Sequence, residues 1–388
     1  MNDTKEWADD ALKLLLLRVR ETAGQVGGRF PLYADPDDGR WTTTGRGSWT
    51  GGFWAGLLWL LARDSGKAAD LASASAATAG LAPWAEADTA TRGLILWYGT
   101  ALAPHDDGAA ELRAHAAKAA LAAWDPALCL VPWGAALGGP RLRARADGVP
   151  GLVPLLAEAG TDGKAAAAAH LHRHLDLCMG GTPGGGIADQ SGMIGDTLPY
   201  QRPRPAWHRD ELRGAWEPEA DPEPGWTRGE AWLLLAVADA LLLADGRGVR
   251  TGGGEGWRTE RLTACAEQLL RQGEFLEGPL VPPADVSAPE GPLDTSAAAI
   301  AAVALLKLAR LARGPRATTC SARAEAVLRR LVDAHLTRPG GSRPPGMLLD
   351  GCYEAKSGTA VRHELVWGDF FLALGLAGHL GRVDLTRV

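Results

Sequence analysis

Cysteine, methionine, tyrosine and phenylalanine are all scarce in this 388-residue chain, at five, four, four and five residues. The cysteines (Cys129, Cys178, Cys265, Cys320 and Cys352) are scattered, odd in number and never spaced C-x-x-C. That argues against a disulfide framework and a cysteine zinc site, and a reducing, cytoplasmic setting is expected. No apolar run reaches the roughly 20 residues of a membrane span, and the longest, 233–243, is broken by Asp239. The opening residues Met1 to Glu6 carry neither the basic start nor the small-residue cleavage site of a signal peptide. No dense basic run accompanies the net charge of −6, so nucleic acid is not an expected partner. With 46% hydrophobic residues and so small a net charge, the chain is not disordered. Strand-like alternation is almost absent.

What is abundant is tryptophan, at 15 residues, more than phenylalanine and tyrosine together. A core needs apolar bulk but has no preference for indole over phenyl, so an excess of indole suggests stacking surfaces for a ligand. Helical periodicity runs through nearly the whole chain. It predicts twelve helices, over 6–22, 49–63, 68–79, 91–102, 108–124, 149–159, 164–178, 227–244, 257–277, 295–312, 316–336 and 367–380. Those over 49–63, 91–102, 149–159, 227–244, 295–312 and 367–380 are apolar on nearly all sides, and they alternate with helices that have a polar face. A helix apolar all round is buried, whereas an amphipathic one lies at a surface. Six inner and six outer helices in alternation predict an all-α (α/α)6 barrel, a single domain over 1–388, with a two-domain helical protein as the plainer alternative. The Gly- and Pro-rich segment 180–225 is too long for an ordinary connection and is expected to lie over the mouth of the central cavity.

Four segments resemble a known family. SWTGGFWAGLLW at 48–59 is similar to the WTSGFxPGxLW motif of the unsaturated glucuronyl hydrolases, glycoside hydrolase family 88. GWTRGEAW at 225–232 resembles their WxRGQAW, LDTSAAAIA at 293–301 their DSSAAAIAA, and VWGDFFL at 366–372 their closing GDYYFLEAL stretch. The matches occur in family order across almost the whole chain. The related unsaturated rhamnogalacturonyl hydrolases share the scaffold, and the family fold is an (α/α)6 barrel.

The resemblance implies hydration of a vinyl ether in a 4,5-unsaturated uronic acid, started by an aspartic acid that protonates C4, without metal or organic cofactor. Such a carboxyl needs its proton near neutral pH, which burial or a neighbouring carboxylate promotes. Asp147, in RADGVPGL at 145–152, stands where the family places that residue. The plain alternative is a helix N-cap, which aspartate also favours. Trp49, Trp226 and Trp232 are the implied stacking walls, with Arg92, Arg213, Arg228 and Glu230 as substrate contacts. Tyr353, Lys356 and His363 are weaker candidates before the last helix.

Three polar positions depart from the family. Its HD-x-GF motif reads TRGLIL at 91–96, so a carboxylate position is occupied by Gly93, which is expected to leave room in the cavity. A functional histidine is missing near 180–186, and a QGY glutamine reads as Arg213. Arg92, Arg202, Arg204, Arg213 and Arg228 predict a positive cavity suited to a small acidic carbohydrate or sugar-containing metabolite. Glu86, Asp88 or Glu230 are candidate substitutes for the lost carboxylate. His170 and His174 share a helix face but lack an accompanying acidic motif, so metal binding is not expected. Asp294 and Asp369 each open an inner helix and read as caps. The Ala, Arg and Gly bias suggests a GC-rich bacterial genome. Besides a family-like hydrolase, a repurposed tailoring enzyme and a non-catalytic carbohydrate-binding protein stay open.

Overall fold

The computed structural model describes residues 5–103, 105–180, 202–246 and 256–388. Its first helices are α1 (Glu6–Val26), α2 (Gly51–Ser65), α3 (Ala68–Ala79), α4 (Tyr98–Thr100, entered through the π-helical turn Gly93–Trp97), α5 (Asp107–Ala122) and α6 (Leu152–Ala157). Then come α7 (Thr161–Gly180), α8 (Thr227–Ala244), α9 (Thr259–Gln272), α10 (Thr295–Leu311), α11 (Pro315–Ala334) and α12 (Val366–His379). The even-numbered helices form a closed ring: α2 packs on α4, the π-helical turn that leads into α4 packs on α6, and α6, α8, α10 and α12 follow in order, with α12 returning to α2. The odd-numbered ones lie outside it, α1 against α12 and α2, α3 on α2, α5 and α7 on α6, α9 on α8 and α11 on α10. This is the (α/α)6 barrel that the alternation predicts.

Sequence pattern explains each layer. In α9, Leu262, Cys265, Ala266, Leu269 and Leu270 are buried, the one-sided stripe of an outer helix. In α2 every residue from Gly51 to Ala62 is buried, as an inner helix requires. Asp106 caps α5 by accepting from Ala109 N at 2.7 Å, and Asp294 caps α10 by accepting from Ser296 N at 3.0 Å. Each such cap is worth about 1 kcal/mol. Asp369 is not a cap: it lies within the first turn of α12, buried beside Glu364.

Two inner helices are much shorter than their sequence periods suggest, because glycine lets neighbouring backbones approach. A Cβ on Gly52 would lie 2.2 Å from Ile95 O, so α2 presses directly on the π-helical turn. A Cβ on Gly93 would lie 2.0 Å from Leu152 N. Gly151, with φ of +69°, faces the Gly93 carbonyl from the start of α6 and takes a backbone conformation closed to most residues. The expectation of free space at Gly93 is therefore corrected: the α6 backbone fills it.

The barrel axis is plugged by rings. Phe53 stacks on Tyr98 at 5.4 Å and on Trp232 at 6.2 Å, and meets Phe370 and Phe371 at 5.4 and 5.6 Å. Buried ion pairs bind the ring, Lys307 of α10 to Asp239 of α8 and Arg18 of α1 to Glu364 near the chain's last helix.

Strands, which the sequence pattern barely shows, edge the mouth. β1 (Phe30–Ala34), β2 (Trp41–Thr44), β6 (Gly351–Glu354) and β7 (Thr359–Leu365) form an antiparallel sheet in the order β2-β1-β7-β6. β3 (Arg143–Arg145), β4 (Ala206–Asp210) and β5 (Ala215–Pro218) form a second, with Arg145 opposite Ala206 and Asp210 opposite Ala215. The second sheet takes up part of the 180–225 segment, whose residues 181–201, including Gly184 to Gly186, lie outside the described residues.

A carboxylate at this position, as Gly93→Asp, forces α6 away from the π-helical turn. A loss of about 3 kcal/mol or more in unfolding free energy is expected by urea denaturation, at the top of the range for overpacking. Wild-type stability in that variant would overturn the close-packing account.

Candidate active site

The inner helices begin at one end of the barrel, and a cleft of about 480 Å³ opens there. Its wall combines Trp49 from the turn before α2, Thr91 and Leu94 from the π-helical turn, and Arg143, Arg145 and Asp147 from β3 and the turn before α6. Trp226 and Arg228 come from the start of α8, Asp285 from the loop before α10, and Tyr353 and Glu354 from β6. Asp221, Glu223 and Lys356 stand at its edge.

Asp147 is held in a short 3-10 turn, Ala146–Gly148, between β3 and α6. Its side chain is 20% exposed, and it accepts from Arg145 Nε at 3.1 Å. Arg145 in turn lies over the Trp133 ring, 5.0 Å from its centroid. Asp147 does not act as a side-chain cap of α6, whose N-cap is Gly151. The carboxyl's close neighbour is thus a cation.

Behind this turn sit two of the three helical histidines. His170 Nδ1 accepts from Val131 N at 3.1 Å, leaving Nε2–H to donate to Gly148 O at 3.3 Å. His174 packs ring to ring with His170 at 4.3 Å, and its Nδ1 lies 2.8 Å from His170 O. Burial drives His170 well below the usual histidine range and His174 down to about 4, so both are neutral near pH 7. They buttress the Asp147 turn. Among the described residues no group of His, Cys, Asp and Glu is arranged to hold a metal ion.

Arg228 organises the opposite wall. Buried at the start of α8, it donates to the Asp294 carboxylate, to Cys352 O and, at 2.8 Å, to Tyr353 O. Its guanidinium lies 5.2 Å from the Trp226 ring and 5.6 Å from the Trp367 ring. Trp49 donates Nε1–H to Tyr353 Oη at 3.2 Å and packs on Trp367 at 4.8 Å, so its indole is fixed.

Of the residues singled out from sequence, Asp147, Trp49, Trp226 and Arg228 meet at this cleft, while Arg92, Arg213, Glu230 and Trp232 do not line it. Arg92 is 2% exposed and turned into the protein, donating to Thr89 O at 3.0 Å and Ala85 O at 3.2 Å. Arg213 stands on the β4–β5 turn with its side chain 74% exposed, paired with Glu217. Trp232 belongs to the aromatic plug. Glu230 faces a separate small hollow and pairs with Arg202 at 3.0 Å.

The proposed carboxylate substitutes fare similarly. Glu86 pairs with His115 on the surface, and Asp88 accepts from Ala135 N and Arg141. Of the loop tryptophans, Trp133 lines the cleft, Trp207 and Trp216 are buried, and Trp41 packs near Arg18. His363 packs edge-on against Tyr33. Arg143, Arg145, Asp285 and Glu354 were missed as site residues. They lie on short strands and loops without helical period, and only the position of Arg145 beside Asp147 offered a signal.

The expected positive cavity is also corrected. Arg143 pairs with Glu219 at 2.5 Å, Arg145 with Asp147, Arg228 with Asp294, and Lys356 with Glu223 at 3.0 Å and Asp221 at 3.3 Å. Each cation of the wall is matched by a carboxylate.

Glu230 makes a pH prediction. Burial pushes its carboxyl from the ordinary 4.5 up to about 7, outweighing the opposite pull of Arg202. Between these values the folded state holds a proton that the unfolded chain has lost, so stability falls as pH rises toward 7. Glu230→Gln is expected to flatten that slope. At pH 8 it should gain up to about 3 kcal/mol relative to pH 5 in urea denaturation, less whatever solvent screening of Arg202 removes. An unchanged slope in the variant would count against the protonated glutamate.

No protein-family model matches the chain, and no curated protein matches it. Solved structures do. The unsaturated glucuronyl hydrolase of Bacillus sp. GL1, described as responsible for glycosaminoglycan degradation, superposes with a TM-score of 0.76 at 20% identity, covering 95% of this chain and 96% of that one. The unsaturated glucuronyl hydrolase of Streptococcus agalactiae gives 0.77 at 17% identity, covering 99% and 94%. A variant of the latter complexed with dGlcA-GalNAc6S gives 0.68 at 16% identity, again covering 99% and 94%. Over nearly its whole length, this chain has the (α/α)6 fold of the unsaturated glucuronyl hydrolases.

Proposed function

We propose that this chain is a hydrolase that hydrates a 4,5-unsaturated uronic acid at the end of a small acidic carbohydrate, with Asp147 as its acid and base. The observation that carries this reading is the placement of Asp147 on the wall of an aromatic cleft at the mouth of the barrel, beside Arg145 and across from Trp226 and Arg228. The Streptococcus agalactiae relative is complexed with an unsaturated uronide of this type, which supports an acidic carbohydrate as ligand.

In the proposed reaction Asp147 gives its proton to C4 of the vinyl ether. Positive charge develops over C5 and the ring oxygen, and a water oxygen bonds to C5. The proton that water loses returns to the carboxylate, so the group acts first as acid and then as base. The hemiketal opens and releases the remaining sugar. Arg145 is the natural partner for the uronate carboxylate, because its planar fork suits bidentate contact. A substrate that engages Arg145 draws it off Asp147 and frees that carboxyl to hold the proton. Trp49 and Trp226 supply faces for the sugar ring. No metal or organic cofactor enters any step.

A second reading, a carbohydrate-binding protein without turnover, is favoured by Gly93. The family's carboxylate position is filled by backbone from α6, and none of Glu86, Asp88 or Glu230 lines the cleft.

One assay separates the two. Unsaturated uronides absorb in the ultraviolet through C=C, and hydration removes the band. Unsaturated chondroitin, heparin and rhamnogalacturonan disaccharides should be bleached by the wild-type protein. Asp147→Asn should slow the best of them by 10²-fold or more, as expected for loss of a general acid. Absorbance that persists with all three would reject the hydrolase, and calorimetric binding without bleaching would establish the second reading.

A further inference from the structure

Charge in the cleft is asymmetric once pairs are removed. Arg143, Arg145, Arg228 and Lys356 each face a carboxylate already. Two carboxylates of the wall face no cation within ion-pair distance among the described residues. Asp285 accepts from Ser287 N at 2.8 Å and Ser287 Oγ at 2.7 Å. Glu354 accepts from Lys356 N at 3.2 Å. Both are partly buried and line the same cleft as the rings of Trp226 and Tyr353. A cleft that combines aromatic rings with unpaired carboxylates is a favourable setting for an ammonium group, by cation–π attraction and by charge.

The same arrangement opposes an anion. Lys356 bridges Asp221 and Glu223, so a sulfate seeking it displaces one or both carboxylates and then lies near Glu354 on the same hairpin. Like charge at such distances weakens binding.

We propose that the cleft, in addition to the reacting ring, selects a neighbouring sugar bearing a protonated amine and discriminates against one bearing sulfate, with Glu354 and Asp285 as the specificity-determining residues. This rests on the uronide reading for the reacting ring. It adds a substrate class, an unsaturated uronide joined to a 2-amino sugar with a free amine.

The test uses three disaccharides that differ only at that nitrogen, as free amine, N-acetyl and N-sulfate. Bleaching gives kcat/KM with the full-length wild-type protein, and calorimetry gives Kd with the Asp147→Asn protein, where turnover does not interfere. The expected order is amine, acetyl, sulfate, with about tenfold between the first and the last from two partly exposed charge contacts. Glu354→Gln should cut the amine-to-acetyl ratio by at least half while leaving the acetylated ligand within twofold. Asp285→Asn should act in the same direction, and Glu354→Gln alone decides if the Asp285 turn fails to form. A sulfate that binds as well as the amine, or no binding by any of the three, overturns the proposal. The expected Kd order without bleaching overturns the hydration reading and supports the charge selectivity. Bleaching without preference does the reverse.

Discussion

Arg228 joins three parts of the chain at one point. From the first turn of α8 its guanidinium reaches the aspartate that caps α10 and two successive carbonyls of β6. A cation buried this deeply is tolerated because every contact is an acceptor and one carries a full opposite charge. Its flat faces lie near Trp226 and Trp367, and Trp367 in turn packs on Trp49. The position of both cleft-wall indoles therefore follows from how one side chain is satisfied. Lysine offers neither the fork nor the flat face, so the same charge in that form would not hold these elements together.

Beneath this junction the barrel is solid. Phe53 and the rings around it close the axis, and the cleft lies above them, at the starting ends of the inner helices. Those ends carry unpaired backbone N–H groups and a partial positive charge. Two carboxylates stand there for that reason: Asp294 is a cap and Glu230 lies in a first turn. The wall pairs Asp294 and Asp147 with arginines, and the charge left over is negative, from Asp285 and Glu354.

The architecture was legible because inner and outer helices differ in how many of their faces are apolar, and that difference is written in residue periodicity. The predicted span 227–244 is the observed α8. The reading failed where backbone contact replaces side-chain packing. At Gly93 and Gly151 the apolar period continues although the regular α-helix does not, and period alone does not show that a neighbouring backbone occupies the missing side chain's place. The strands escaped notice because they are short, mixed in burial and paired with distant segments, as Arg143 is with His208. At the site, Asp147, Trp49, Trp226 and Arg228 were legible through motifs. Direction was not: Arg92 has the right neighbours in sequence, yet its side chain turns inward to two carbonyls. Asp285 and Glu354 sit in segments with neither period nor motif, and only the folded chain brings them beside the aromatic walls.

The contact between Gly93 and Gly151 also limits which sequences this barrel can reach. Where the related hydrolases have a carboxylate, two main chains touch, and any side chain at Gly93 must come with a displaced α6. An acid is not accommodated there by a single codon change in an otherwise intact protein, because the α6 backbone fills its place. New side chains are accepted more readily at the rim of the cleft, on strands and loops that do not carry the ring.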